Sequence, residues 1–533
     1  MSHIRKLTTR AALTAALLVS TAFAAEAAGT LHRGNAAEPE SLDVHRSSGV
    51  SESNIQRDIY EGLTAEAADG TIIPGVAESW DVSDDGLVYT FHLRDDAMWS
   101  DGTPVTAHDF VAGFRRGLDP ETAADYAFML WPIKNGKAIN EGSITDITQL
   151  GAVAIDDRTL EVTLESPTPY FIGLLAHHMA YPVHMPSIEA HPDSFTQPEN
   201  FVGNGAFVLT EWVPQGHIKL EKNPDFHDAE NVSLDAIYYY PTEDQENELQ
   251  RFRAGELDIT YDVPASQIPW IEENLAEEFH NTVYLGNYFY GINTQIEPFK
   301  DNIPLRQAMF LAIDREILTK QITKGGEIPA YGWVPPGIAN YEPQQLDEWE
   351  AMTQEERNAL AVEKYEEAGF SVDEPLDIEI LYNTNDNHRN IAIAIAAMWK
   401  QTLGINATLR NEEWGTYLNS RDELQFDVVR AGWIGDYNDP NTFAGYLRGD
   451  IGQMNPAGWQ NAEYDRLVAE AATEQDMEAR SDLLEEAERI MLSEMPIIPI
   501  YYYTQQHLVS SAVSGWEDNI MDRHASRYLS VSR

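Results

Sequence analysis

The sequence predicts an α/β protein built from at least two lobes. The chain has 533 residues, whereas a single hydrophobic core stops growing near ~250–300 residues. Segments of strand period and of helix period alternate along most of it, the pattern of α/β architecture. No internal repeat or low-complexity linker interrupts them, so short crossovers, not a flexible tether, are expected to join the lobes.

Residues 1–27 read as a secretory signal peptide. Arg5, Lys6 and Arg10 form a basic head, an apolar stretch runs from Ala11 to Ala25, and Ala22-Phe23-Ala24 and Ala25-Glu26-Ala27 offer small-residue cleavage sites. The stretch is shorter than the ~20 residues that span a bilayer, and no later run reaches that length. A soluble periplasmic protein is therefore expected, and without cysteine it has no residue to carry a lipid anchor.

Leu87, Tyr89, Phe91 and Leu93 recur at every second position and so share one face, as in a half-buried strand. Asp84-Asp85-Gly86 is a turn that pairs this strand with one around Trp80. Thr106-Ala-His-Asp109 has the form of a capping box, opening a helix that turns Phe110, Val111 and Phe114 inward. Leu160, Val162 and Leu164 mark another strand. Leu305, Ala308, Met309 and Ala312 follow Pro304 at helical spacing. A further helix is expected from about Asn390 to Leu403, ended by Gly404.

Lys+Arg 35 against Asp+Glu 87 gives a formal charge of −52, a field that repels nucleic acid and anionic lipid. The acidity is spread along the chain and reads first as solubility. The absence of cysteine excludes disulfides, thiolate metal sites and cysteine nucleophiles.

Asp81-Val-Ser-Asp-Asp-Gly86 resembles the start of a calcium loop, but position twelve is His92 where a bidentate Glu is needed. His177, His178 and His184 lie close together, yet Pro182 interrupts them and no acidic residue completes a ligand spacing. Phosphate-loop, His-Glu-x-x-His and Gly-x-Ser-x-Gly motifs are absent. No cofactor, no metal ligand set and no enzymatic activity are expected, with an exported hydrolase as the enzyme-class alternative.

Pro74-Gly-Val-Ala-Glu-Ser-Trp80, Leu87 to Arg94 and Trp99-Ser-Asp-Gly-Thr-Pro-Val-Thr-Ala-His-Asp-Phe110 resemble the signature region of the extracellular solute-binding proteins of family 5, the peptide receptors of bacterial ABC importers. The resemblance continues through Gly49 to Asn54, Ala254 to Ile259, Ala330 to Gly332 with Pro335-Pro336, Leu381 to Thr384, Arg430-Ala-Gly-Trp-Ile-Gly-Asp-Tyr-Asn-Asp-Pro440 and Pro499 to Tyr503. Within the family, the Arg430 segment is most similar to the oligopeptide-binding subgroup.

The resemblance implies a two-lobed periplasmic binding fold, a Venus flytrap, with an additional domain inserted in lobe I. Carried over, it puts lobe I at 28–60, 186–285 and 504–533, the additional domain at 61–185, and lobe II at 286–503. It implies reversible capture of short peptides by hinge closure, delivery to ABC permease subunits in the inner membrane, and a monomer.

A free peptide offers an ammonium, a carboxylate and an extended backbone. The resemblance assigns the ammonium to Asp436, and the carboxylate to Arg430 or His388 according to peptide length. Val50, Gly432 and Ile434 match segments that meet the peptide backbone as an added strand, and Trp414, Trp433 and Arg421 match side-chain pocket walls. On residues alone, Asp436 reads as a local turn cap, His388 as a solvated loop histidine, Arg430 as an ion-paired strand end, Val50, Gly432 and Ile434 as core strand, and both tryptophans as core. Ser48 and Gly291 stand where close relatives carry acidic pocket residues, which puts a preference for basic peptide side chains in doubt. Cell-wall peptides, dipeptides, haem or nickel are the alternative ligands within the superfamily, and a chaperone or signalling role is compatible with the same fold.

Overall fold

The computed structural model describes residues 29–533, apart from 48, 243, 373 and 413 and the side chains of 347, 348, 414, 415 and 453. The segment read as a signal peptide lies outside the described residues.

Three larger sheets organise these residues. A four-stranded sheet takes the order Thr30–Gly34, Ala236–Tyr240, His217–Lys222, Phe207–Val213. A second, wholly antiparallel, runs Ala77–Val82, Val88–Leu93, Thr159–Thr163, Ala152–Asp156. The third has six strands in the order Ile328–Pro329, Ile497–Leu508, Phe279–Ile292, Val428–Ile434, Asp377–Asn383, Asn406–Glu412.

One core unites the two four-stranded sheets: Leu31 and Ile237 of the first belong to the same buried cluster as Phe91 and Val162 of the second. The six-stranded sheet carries separate cores on its two faces, because successive strand residues point to opposite sides. Tyr288 and Tyr290 join the face covered by helices Ile303–Leu311 and Asp386–Leu403, while Leu285 and Phe289 join the face covered by Ala462–Ala471 and Met477–Glu494. The result is a two-lobed α/β protein.

Two strands belong to both lobes. Phe279–Ile292 and Ile497–Leu508 pair antiparallel along most of their length, but the ladder breaks between Val283 and Asn287. Before the break, Phe279 and Leu508 pack with Leu249, Phe252 and Ile271; beyond it, Tyr288 and Tyr501 lie in the core of the six-stranded sheet.

The local expectations hold where a pattern was strong. The hairpin of Ala77–Val82 with Val88–Leu93 forms, the Thr106 capping box is present, and Gly404 ends its helix at φ +79°. That helix begins at Asp386, four residues before the expected start, because Asn385 caps it by accepting the His388 N–H at 3.1 Å. Polar first-turn residues show no apolar period, so the cap was the only local signal. Val50, on residues alone a candidate core-strand position, instead opens helix Val50–Ile59 and is 43% exposed. His177 and His178 are buried, with their rings 4.1 Å apart and burial pressing the pKa of both below the ordinary value.

Candidate functional site

A cleft opens between the two lobes. Its larger part, about 660 Å³, lies between Phe128 and Trp131 on one side and Trp433, Asp436 and Tyr446 on the other. An adjoining part of about 400 Å³ shares Phe128, Trp433, Asp436 and Met454, and adds Val50, Tyr126 and Ile434. Helix Val50–Ile59 and the turns around Ala127–Leu130 thus face the end of strand Val428–Ile434.

That strand end presents an open edge. Gly286 lies opposite Ile434, and Tyr288 opposite Gly432, while the Gly435 N–H donates to the Leu285 carbonyl at 2.7 Å. This bond makes Gly286–Ile434 a non-hydrogen-bonded pair, so by the antiparallel alternation Ile434, Gly432 and Arg430 turn their main-chain groups toward the other edge. On that edge, strand Asp377–Asn383 pairs only with Val428 and Val429. The Tyr417 hydroxyl donates to the Arg430 carbonyl; beyond it on this edge, among the described residues, no strand pairs with Gly432 or Ile434.

Asp436 follows the strand on the loop to Pro440, and this loop separates structural from free side chains. Asn438 Oδ1 accepts the Ala339 N–H at 3.0 Å, and Asp439 accepts both Arg480 Nη atoms at 2.6 and 2.8 Å and the Asn441 N–H at 2.9 Å. The Asp436 carboxylate has no hydrogen bond or ion pair among the described residues. It is half-buried, and burial, partly opposed by the Arg523 charge, pushes its pKa up to about 6. Arg523 fixes the loop by donating to the Asp436 carbonyl at 2.9 Å while its other nitrogen pairs with Glu66 at 2.5 Å.

At the opposite end of the edge, Arg430 is 8% exposed and has no carboxylate partner among the described residues. Nη1 donates to Asn383 Oδ1 at 3.2 Å and Nη2 to the Tyr503 hydroxyl at 3.1 Å; Nε is buried without a partner, and the guanidinium lies 4.5 Å from the Tyr288 ring centre. His388 Nδ1 stands 3.3 Å from the Tyr288 hydroxyl. Burial, reinforced by the Arg430 charge, pushes His388 down to about 3, so it is a neutral hydrogen-bonding group. Buried guanidinium without a counter-charge is costly, and a carboxylate entering here would relieve that cost.

Trp433 forms part of the cleft wall, stacked on Tyr446 at 4.2 Å with its indole N–H on Thr442 Oγ1 at 3.3 Å. Trp414 opens helix Trp414–Asp422, but its side chain lies outside the described residues, as does Ser48. Arg421 is ion-paired to Asp422 at 2.9 Å. Gly291 lies in the interior of the sheet opposite Val429 and Ile497, where a Cβ would stand 2.8 Å from the Pro456 carbonyl.

Sequence reasoning missed the tyrosines around Arg430. Tyr288 and Tyr290, and likewise Tyr501 and Tyr503, recur at the strand period, a signal that places each pair on one face. Tyr126, Phe128 and Trp131 carry no local signal, since only the tertiary fold brings them opposite Trp433.

The model of the bacterial extracellular solute-binding proteins, family 5, matches residues 71–455. The periplasmic oligopeptide-binding protein OppA of Salmonella typhimurium is 41% identical over 97% of this chain and 96% of its own length. Among solved structures, the murein tripeptide-binding protein MppA in an unliganded open form is similar with a TM-score of 0.84 at 37% identity, covering 95% of this chain and 98% of that one. Haemophilus influenzae OppA in complex with RPPGFSPFR is similar with a TM-score of 0.78 at 36% identity, covering 95% and 99%. The chain belongs to family 5 of the bacterial extracellular solute-binding proteins.

Proposed function

We propose that this protein is a periplasmic receptor, not an enzyme, which captures short free-ended peptides and delivers them to the permease subunits of an ABC importer, acting as a monomer. The observation that carries this reading is one open strand edge with a carboxylate, Asp436, beyond one end and a guanidinium, Arg430, at the other, neither ion-paired among the described residues. They stand six positions apart, at most roughly 20 Å at ~3.3 Å per residue. A ligand that satisfies both is extended, several residues long and oppositely charged at its ends.

In this reading Asp436 meets the peptide ammonium through a charge-assisted bond sealed from water, and Arg430, aided by His388, meets the carboxylate in the planar geometry an arginine favours. Gly432 and Ile434 pair with the peptide main chain, whose hydrogen bonds ignore side-chain identity, and helix Val50–Ile59 closes from the other lobe. Trp433 and Tyr446 provide broad aromatic surface for varied side chains. Closure is a hinge movement about the ladder break near 283–287, which supports a lobe boundary at 285–286 on one strand and 503–504 on its neighbour.

Calorimetric titration of ligand-stripped protein with tri- and tetrapeptides tests the reading. Micromolar or tighter binding, lost when the peptide is N-acetylated, is expected. Failure of every peptide to bind would overturn it and turn attention to cell-wall fragments, haem and nickel.

A further inference from the structure

Below the cleft, the C-terminal segment returns to the crossing strand Ile497–Leu508 and brings three ligating side chains together. Asp522 Oδ1 stands 2.7 Å from His507 Nε2 and 3.1 Å from His524 Nε2, and one ligand atom from each residue falls within 4.8 Å of the other two. We propose that His507, Asp522 and His524 form a binding site for one divalent transition-metal ion of the zinc class, beside the peptide site.

Zinc takes imidazole nitrogen and carboxylate oxygen at ~2.0–2.2 Å, with three protein ligands and an open position as a common arrangement. Ligand atoms around such an ion stand about 3.3–3.5 Å apart for tetrahedral angles at those bond lengths, so small side-chain shifts suffice to admit it. The surroundings favour the same outcome. His507 is 7% exposed, and its Nδ1 lies 3.0 Å from the Thr260 carbonyl, the outer hydrogen bond that turns a ligating histidine's Nε2 toward a metal. Trp516 stacks on the His524 ring at 3.6 Å and 19°, fixing its plane.

Asp522 is held at φ 53°, a left-handed conformation uncommon outside glycine, in a turn closed by its N–H on the Asn519 carbonyl at 3.0 Å. Asp522 also lines the cleft, which provides a path for an ion, and the formal charge of −52 concentrates cations at the surface. The bound ion would clip the C-terminal segment to the crossing strand, next to Arg523, whose guanidinium holds the Asp436 loop. Nothing in the spacing of His507, Asp522 and His524 signals the site in sequence, because the three meet only when the C-terminal segment folds back.

The test is calorimetric titration of EDTA-treated full-length protein with zinc chloride, alongside magnesium and calcium chloride. One zinc per chain is expected, with at least tenfold weaker binding in His524→Ala and in His507→Gln, and no binding of the two hard ions at the same concentrations. Absence of zinc binding, unchanged affinity in a His524→Ala protein that circular dichroism shows to be folded, or equal binding of calcium would each overturn the proposal. Should His507→Gln fail to fold, His524→Ala alone decides.

Discussion

Asp436 and Asp439 lie three residues apart on one loop, yet only Asp439 is neutralised, by Arg480 at 2.6 and 2.8 Å. The second carboxylate holds the loop in place so that the first stays available. The two therefore respond oppositely to mutation. Asp436→Asn is expected to leave the melting temperature nearly unchanged and to weaken free-ended peptides by about ten- to a hundredfold, the ~1.5–3 kcal/mol of a hydrogen bond to a charged group. N-acetylated peptides should bind both proteins equally poorly. Asp439→Asn leaves Arg480 buried without its counter-charge and should cost about 3–5 kcal/mol of stability, read by denaturant unfolding.

Peptide affinity should fall in mild acid. Asp436 must be ionised to hold an ammonium, and burial has pushed it up to about 6. Affinity is therefore highest near pH 7, falls above about 8 as the peptide ammonium loses its proton, and declines as pH drops through 6; the acid limb should vanish in Asp436→Asn. A bound ammonium lowers the carboxyl pKa, so binding near pH 6 releases a proton, visible as a buffer-dependent enthalpy.

Main-chain pairing along Gly432 and Ile434 predicts sensitivity to peptide N-methylation at the position opposite that edge. Each lost bond should weaken binding about two- to tenfold, from ~0.5–1.5 kcal/mol per hydrogen bond, while changes of peptide side chain have smaller effects. A uniform response to methylation at every position would contradict strand addition.

Glu488 predicts a pH-dependent stability. It accepts the N–H groups of Trp333 and Val334 at 2.6 and 3.1 Å and the Tyr341 hydroxyl, but burial still raises it from 4.5 to about 7. A folded pKa above the unfolded one stabilises at low pH: the contribution is complete below about 4.5 and is lost as pH rises through about 7, on the order of 3 kcal/mol. The difference in melting temperature between wild type and Glu488→Gln should therefore change across pH 5–8, with the variant showing the shallower decline.

What was legible in the sequence is what local physics decides. Alternation in Leu87 to Leu93, the Thr106–Asp109 box and Gly404 specify a strand, a helix start and a helix end without distant partners, and each forms as expected. Length, charge and the absence of cysteine bound the architecture and exclude whole classes of chemistry. The long Arg430–Pro440 segment pointed to a peptide receptor before any geometry was known.

Only tertiary structure decided which polar groups are free. On residue type alone, Asp436 and Asp439 are two acidic residues of one loop; the arrival of Arg480 from a helix forty-one residues beyond Asp439 makes one structural. Likewise the open edge beside Gly432 exists because strand Asp377–Asn383 stops pairing at Val429, and the His507, Asp522 and His524 cluster because the C-terminal segment folds back. Helix caps and strand periods depend on neighbours a few residues away, whereas an unpaired charge is defined by every element packed around it.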